Sequence, residues 1–225
     1  LKETNYSWWV ERVRANLSTC DIIRIDHFRG FEAYWAVPYG DDTAINGQWE
    51  PGPGIDLFNA IKSQLGELPI IAEDLGLMTQ GVIDLREATG FPGMKILGFA
   101  FDSGEENDYL PHTYTKNCVV YTGTHDNDTL IGWFQKAKEE DRQFARDYLN
   151  SRSDDEIHWD AIRGAWSSVA NMAISPVQDF LGLGSEARIN TPGVAAGNWQ
   201  WRLRHGVLTD ELAERIAKLT RVYSR

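Results

Sequence analysis

The segment Ile23–Trp35, IRIDHFRGFEAYW, places two arginines, an aspartate and a histidine close together directly behind an apolar run. Side chains alternate along a strand, so Arg24 and Asp26 are expected to point to the same face. A guanidinium at that range favours the ionised carboxylate, and an ionised aspartate is suited to nucleophilic attack. Taken alone, the pair is more simply read as a structural ion pair.

A second carboxylate, Glu73, follows the apolar run Pro69–Ala72, PIIA. Apolar neighbours favour the protonated form of a carboxyl group, and that form suits a general acid. One carboxylate held charged beside another held protonated is the division of labour in glycoside cleavage. The alternative is that Glu73 and Asp74 form a solvated strand end.

A third carboxylate, Asp126, follows His125 in THDNDT, just behind the run Cys118–Thr122, CVVYT. The spacing fails the calcium-loop pattern, so it does not indicate a metal site. An Asx-capped turn is the structural alternative here. His27 and His125 could likewise be hydrogen-bonded histidines of the core or the surface.

The elements that must position these residues are predicted from apolar runs and from helical spacing. The predicted strands are Asp21–Ile25, Pro69–Ala72, Met94–Phe101, Cys118–Thr122 and Met172–Phe180. Helical spacing lies between them, around Trp9–Leu17, Leu57–Leu65, Val82–Ala88, Leu130–Leu149 and Thr209–Tyr223. This alternation predicts βαβ units and a parallel sheet, whose carboxyl strand ends share one side.

No glycine-rich dinucleotide fingerprint or phosphate-binding loop is present in the sequence, so a (β/α)8 barrel is favoured over a nucleotide-binding sheet. Such barrels typically have about 250 residues. The five strands predicted here leave two readings: three strands are undetected, or residues 1–225 hold only the later part of a barrel.

Composition excludes several classes of partner. With a formal net charge of -11 and no Lys/Arg-rich run, nucleic acid is an unfavourable partner. No apolar run is long enough to span a bilayer, so no membrane partner is expected. Cys20 and Cys118 lie far apart without zinc spacing, which mildly favours a reduced, intracellular setting. The chain starts at Leu1, and LKETNYSWW is expected to come from the middle of a protein, so it carries no information on the targeting of the parent.

Several of these stretches together resemble the 4-alpha-glucanotransferase family, also called amylomaltase or disproportionating enzyme, of the alpha-amylase clan. The resemblance covers nearly the whole chain in the family's order. The stretches that carry it are RIDHFRGFEAYW (24–35), PIIAEDLG (69–76), GFPGMKIL (90–97), VVYTGTHDNDT (119–129), QDFLGLGSEARINTPG (178–193) and NWQWRL (198–203).

The resemblance implies a role for each of the three carboxylates. Asp26 matches the catalytic nucleophile, Glu73 the general acid/base, and Asp126 the carboxylate that grips the distorted donor sugar and stabilises the transition state. The implied chemistry is a retaining double displacement through a covalent glucosyl-enzyme. It requires no metal and no organic cofactor.

The resemblance also implies substrate-binding residues, with maltooligosaccharides and α-1,4-glucans as the substrates. The matching positions are Arg24, His27, His125 and Asn190. The stretch that carries Asn190 departs from the family at Ile189, where the family usually has Met, a residue of similar volume.

The family's enzymes are about twice as long, so the resemblance predicts residues 1–225 to be the carboxyl-terminal part of a catalytic (β/α)8 barrel domain. The missing amino-terminal part is then a candidate partner, without which the chain is expected to be poorly stable and inactive. An α-glucan hydrolase of the same clan and a non-catalytic fragment remain the alternatives. The expected compartment is the cytoplasm, or a plastid for a plant protein.

Overall fold

The computed structural model describes residues 1–76, 78–102 and 107–225. These residues divide into two compact units, Leu1–Met94 and Lys95–Arg225. Every helix within the described ranges is too short or too polar to cross a membrane.

The first unit alternates helices with short strands. Its elements are α1 (Ser7–Leu17), β1 (Ile23–Ile25), β2 (Ala33–Ala36), β3 (Gln48–Pro51), α2 (Gly54–Leu65), β4 (Ile70–Ala72) and α3 (Gln80–Thr89). Strands β1 and β4 pair in parallel, with Ile25 opposite Ala72. Strands β2 and β3 form a separate antiparallel pair.

An apolar core between these helices and strands holds β1 and β4 in place. Phe28, three residues after the end of β1, is fully buried, and its ring stacks on Phe58 of α2 with centroids 5.5 Å apart. Val82 and Leu85 of α3 belong to the same core. Helix α3 begins where the Thr79 hydroxyl accepts a hydrogen bond from the Val82 N–H, which satisfies one otherwise unpaired donor of its first turn.

The second unit contains a sheet in the order β5-β6-β7 with helices packed against it. Its elements are β5 (Gly93–Ile96, which contains the boundary between the units), β6 (Cys118–Tyr121), α4 (Leu130–Lys136), α5 (Glu139–Leu149), α6 (Ile157–Trp166), β7 (Met172–Ile174), α7 (Val177–Phe180) and α8 (Asp210–Tyr223). Strands β6 and β7 are parallel, with Val119 opposite Met172.

Four predicted helices are confirmed as α1, α2, α3 and α8, and Thr209 caps α8 by accepting from the Leu212 N–H. The single helix predicted over Leu130–Leu149 is wrong. It is two helices, because Ala137 and Lys138 are extended, with ψ of 152° and 155°.

Two predicted strands are too long. Strand β5 ends at Ile96 and turns into a 3-10 helix at Leu97. Strand β7 ends at Ile174, because Pro176 has no N–H to donate and precedes the short helix α7. Helix α6 and the β2–β3 pair were not predicted.

Candidate active site

Asp26 and Glu73 lie at the carboxyl ends of two neighbouring strands. The register that pairs Ile25 with Ala72 puts the next residue of each strand side by side. Backbone hydrogen bonds continue past the strands: the Glu73 N–H donates to the Ile25 carbonyl at 2.9 Å, and the Phe28 N–H donates to the Glu73 carbonyl at 3.0 Å. The parallel pairing therefore brings both carboxylates to one edge of the sheet.

Arg24 and Asp26 form the ion pair that strand alternation predicts. The Arg24 Nη2 atom lies 2.6 Å from Asp26 Oδ1. The Arg24 side chain is 30% exposed, and its Nε atom contacts the Met94 sulfur at 3.3 Å, whereas the Asp26 side chain is 77% exposed. The guanidinium is thus held against the protein while the carboxylate stays open to an approaching molecule.

Backbone donors fix the Glu73 carboxylate. Its Oε2 atom accepts from the His27 N–H at 2.5 Å, and its Oε1 atom accepts from the Leu75 N–H at 3.0 Å. His27 has a left-handed φ of 50°, which turns the chain sharply after Asp26. Glu73 is half-buried, so the apolar setting expected from its neighbours in sequence is only partly found.

The adjacent carboxylate, Asp74, has a different environment. Its side chain is 5% exposed and pairs with Arg86 at 2.8 Å, while its Oδ1 atom accepts from the Met94 N–H at 2.7 Å. A Cβ atom at Gly93 would lie 2.4 Å from Asp74 Oδ2, so glycine is required for this close approach. The solvated strand end considered for Glu73 and Asp74 is therefore wrong for Asp74, which is a buried structural residue.

In the second unit, Asp126 is held by residues from a distant segment. Asn190 Nδ2 donates to Asp126 Oδ1 at 2.5 Å, and the Asn190 N–H donates to the His125 carbonyl at 3.1 Å. The His125 Nε2 atom lies 3.3 Å from Asp126 Oδ2. Three predicted site residues thus form one hydrogen-bonded group.

Arg188 was not singled out from the sequence, although it connects both parts of this group. Its Nη2 atom donates to the Asp126 carbonyl at 2.6 Å, and its Nε atom donates to the Asn190 carbonyl at 2.8 Å. The ARINTPG stretch that identified Asn190 contains Arg188, and that was the available signal. A guanidinium with donors in a fixed fork suits such a bridging role.

Trp199 is the second residue of this group that was not singled out. Its ring centroid lies 5.2 Å from that of His125 with an interplanar angle of 35°. Its left-handed φ of 61° and the bond from its N–H to the Ile189 carbonyl, 2.7 Å, hold it there. The indole remains 57% exposed and presents an apolar face suitable for stacking on a sugar ring.

The remaining polar residues of THDNDT make the turn that was considered as the alternative. Asn127 Oδ1 accepts from the Thr124 N–H at 2.8 Å, and Asp128 Oδ1 accepts from the Thr129 N–H at 2.9 Å. Burial alone would raise the pKa of Asp128, but hydrogen bonds from Lys136 and other donors hold it below its ordinary value. Asn127 and Asp128 therefore shape the loop, while Asp126 pairs with Asn190.

The predicted residues thus form two groups, one in each unit. The first contains Arg24, Asp26, His27 and Glu73, and the second contains His125, Asp126 and Asn190. Within the described part of the chain, the side chains of His, Cys, Asp and Glu form no group of three or more that could hold a metal ion.

Known protein sequences resemble this chain along its whole length. A family model described as 4-alpha-glucanotransferase matches residues 1–209. A 4-alpha-glucanotransferase from Clostridium butyricum is 54% identical over 226 residues, covering 100% of this chain and 46% of the relative. One from Thermus thermophilus is 45% identical over 232 residues, again with 100% and 46% coverage. The chain therefore spans less than half the length of these curated relatives.

Solved structures of amylomaltases also resemble the fold of this chain. The amylomaltase from Streptococcus agalactiae in complex with acarbose matches with a TM-score of 0.95 and 38% identity, over 100% of this chain and 46% of that one. The amylomaltase from Corynebacterium glutamicum matches with a TM-score of 0.72 over 94% of this chain and 37% of that one. At 18% identity, the second match shows a shared fold only.

Proposed function

The chain belongs to the 4-alpha-glucanotransferase family, and from this premise we propose that it forms the catalytic part of an enzyme that transfers α-1,4-glucan segments between maltooligosaccharides. The single observation that carries the proposal is the pairing of β1 with β4, which sets Asp26 beside Glu73. Glycoside chemistry with retention needs two carboxylates on either side of one glycosidic bond.

In the proposed reaction, Asp26 attacks the anomeric carbon of the donor glucan. Arg24, whose Nη2 atom lies 2.6 Å from Asp26 Oδ1, orients the carboxylate for that attack. Protonated Glu73 gives its proton to the departing glycosidic oxygen, and a covalent glucosyl-enzyme remains. Retention requires the two carboxyl groups to lie about 5–5.5 Å apart when substrate is bound.

In the second half of the reaction, Glu73 acts as a base. It takes the proton of the acceptor's 4-hydroxyl, and that oxygen displaces Asp26 from the anomeric carbon. The backbone N–H groups of His27 and Leu75, which donate to its carboxylate, fix Glu73 in place for both proton transfers.

The second group is assigned to the donor sugar. Asp126 accepts hydrogen bonds from sugar hydroxyls as the ring distorts, while Asn190 and His125 hold its carboxylate. Trp199 offers its exposed face to the same sugar chain.

We place these elements in the later part of a (β/α)8 barrel, with residues 1–225 as the carboxyl-terminal part of its catalytic domain. The parallel pairs β1–β4 and β6–β7 and the likeness to the Streptococcus agalactiae amylomaltase support this placement. The acarbose bound by that amylomaltase supports a glucan-like substrate. Bacterial cytoplasm and plant plastid both remain predicted compartments, and the Arabidopsis thaliana relative is named chloroplastic/amyloplastic.

Incubation with maltotriose tests the function. The protein at its full natural length is expected to produce glucose and a ladder of longer maltooligosaccharides. Shorter products alone would identify the hydrolase alternative, and no turnover would favour the non-catalytic one.

A chimera isolates the contribution of this chain. Residues 1–225 replace the matching 46% of the Clostridium butyricum relative, and the chimera is expected to form the ladder. The isolated 225-residue chain is expected to be inactive. Ladder formation by the isolated chain would contradict the need for the missing part.

A further inference from the structure

A buried carboxylate in the second unit holds both ends of the loop that carries Asp126, which we call the Asp126 loop (residues 123–129). Asp179 in α7 is 2% exposed. Its Oδ2 atom accepts from the Thr122 hydroxyl at 2.6 Å, and its Oδ1 atom accepts from the Leu130 N–H at 2.9 Å. Thr122 directly follows β6 and Leu130 begins α4, so one side chain connects the two ends of the loop.

Both residues that Asp179 holds are themselves fixed in the fold. Thr122 is 1% exposed, and its N–H donates to the Ile174 carbonyl at 3.2 Å, which extends the β6–β7 ladder. Leu130 starts a helix whose first turn is capped by the Thr129 hydroxyl, 3.0 Å from the Gly132 nitrogen. The Asp179 carboxylate therefore joins two anchored ends of the loop directly to each other.

Gln178, the residue before Asp179, bonds to the chain segment that contributes Arg188 and Asn190 to the Asp126 group. Gln178 is 4% exposed, and its Nε2 atom donates to the Ala187 carbonyl at 3.3 Å. Ala187 directly precedes Arg188, whose guanidinium donates to the Asp126 carbonyl at 2.6 Å. Two consecutive residues of α7 thus hold both segments from which the Asp126 group is built.

Joining two segments through a buried carboxylate costs desolvation free energy. Burial raises the pKa of Asp179, against the opposing effect of the hydrogen bonds from Leu130 and Thr122. An apolar side chain would avoid that desolvation cost, but it could not fix the direction of a hydroxyl and an N–H together. The bond to Thr122 measures 2.6 Å, within the ordinary range of O–H···O hydrogen bonds.

We infer that Asp179, with Gln178 beside it, is a positioning residue that sets the place of Asp126 by fixing the ends of its loop without touching the substrate. The inference rests on the proposed function, because that function assigns Asp126 to the donor sugar. It predicts that loosening the loop ends lowers turnover through Asp126 and leaves substrate binding nearly unchanged.

The test measures maltotriose transfer by the protein at its full natural length. Thr122→Val keeps the side-chain shape and removes the hydroxyl, and kcat is expected to fall about tenfold, or about 1.4 kcal/mol, with little change in KM. Thr122→Ser restores the hydroxyl and is expected to restore kcat. Thr113→Val is the control for loss of a threonine hydroxyl elsewhere, because among the described residues the Thr113 hydroxyl bonds backbone carbonyls of a separate turn, Leu110 at 2.9 Å and Asp108 at 3.2 Å.

A double-mutant cycle separates positioning from general loss of structure. If Thr122 acts through Asp126, Thr122→Val causes no further loss in an Asp126→Asn background. The same fractional loss in both backgrounds would overturn the inference, as would wild-type kcat in Thr122→Val. Should Thr122→Val not fold, Gln178→Met is measured in the same cycle, with a smaller loss of kcat expected and the same loss of effect in Asp126→Asn.

The activity of the wild-type protein distinguishes a failure of the proposed function from a failure of the positioning role of Asp179. A wild-type protein that forms no maltooligosaccharide ladder contradicts the proposed function, and with it this inference. A wild-type protein that forms the ladder, with Thr122→Val equally active, contradicts only the positioning role of Asp179.

Discussion

The backbone N–H of His27 donates a hydrogen bond to the Oε2 atom of Glu73 at 2.5 Å. This bond joins the residue that follows Asp26 to the side chain of the second carboxylate. The residues proposed as nucleophile and acid/base are therefore linked through the backbone, and their relative position follows from the β1–β4 register. Such preorganisation holds the reacting groups in position before substrate binds, so no orientational entropy is lost during the reaction itself.

Two adjacent carboxylates, Glu73 and Asp74, are expected to respond to amide substitution in opposite ways. Glu73→Gln removes the proposed proton donor, so kcat should fall about 10²–10⁴-fold while the protein stays folded. Asp74→Asn removes the buried charge partner of Arg86 and leaves it only the exposed Glu87 at 3.8 Å, so the free energy of unfolding should fall by about 3 kcal/mol. Maltotriose kinetics and urea unfolding measure the two effects, and each variant is the other's control. A Glu73→Gln protein with wild-type turnover would exclude the acid/base role.

Arg24 is expected to matter for activity more than for stability. The Asp26 carboxylate is 77% exposed, so losing this ion pair in Arg24→Met should cost less than about 1 kcal/mol of folding free energy. The value of kcat/KM should fall by about tenfold or more, because Asp26 loses the hydrogen bond that orients its carboxylate for attack. Arg24→Lys should lie between the two proteins. Unchanged kcat/KM in Arg24→Met would show that Arg24 and Asp26 form a structural ion pair only.

Asn190→Asp is expected to make turnover depend on pH. In the native protein, the Asn190 amide donates to Asp126 Oδ1 at 2.5 Å. A second carboxylate at that distance would repel Asp126, and the pair would share a proton until the pH rises. We expect lower kcat/KM and a new ionisation in the pH–rate profile of Asn190→Asp, absent from Asn190→Ala. Identical profiles for the two variants would show that Asn190 does not contact Asp126 in the working enzyme.

His158 is expected to make folding stability fall in mild acid. It is 8% exposed, its Nδ1 atom has no hydrogen-bond partner among the described residues, and burial lowers its pKa below 6.5. The unfolded chain then binds a proton that the folded chain does not, so stability is complete above about pH 6.5 and falls as the pH drops towards the lowered value. The slope is at most about 1.4 kcal/mol per pH unit.

The control for His158 is His158→Met, which fills the site without a titrating group. Thermal unfolding between pH 7.5 and 5.5 should show a smaller decrease in Tm for this variant than for the native protein. An equal decrease would assign the acid sensitivity to other groups.

The sequence predicted the elements whose periodicity is clear. Helix α2 repeats apolar residues at Leu57 and Ile61, and only one face of it is buried. Helix α6 was not predicted, although Asp160 and Arg163, three residues apart, interrupt its buried residues with helical spacing. The division of Leu130–Leu149 into α4 and α5 depends on two extended residues that have no strong sequence signal.

Local sequence patterns also predicted the carboxylates of the site, but not the contacts between distant segments. Asp26, Glu73 and Asp126 follow apolar runs, and their positions behind strands can be read locally. The contact of Asn190 with Asp126 spans 64 residues, and the bond of Asp179 to Thr122 spans 57. Such contacts depend on how distant segments pack, which no local pattern records, and only the family resemblance indicated Asn190.

The most direct test of the account is the identity of the residue that becomes glucosylated. In a Glu73→Gln variant at full natural length, an α-glucosyl fluoride donor should form the covalent intermediate, since fluoride leaves without a proton from Glu73. Peptide mass spectrometry is expected to find the added glucosyl group on Asp26, and an Asp26→Asn, Glu73→Gln double variant should show none. An adduct on any other residue, or one that persists in the double variant, would contradict the assignment of Asp26 as the nucleophile.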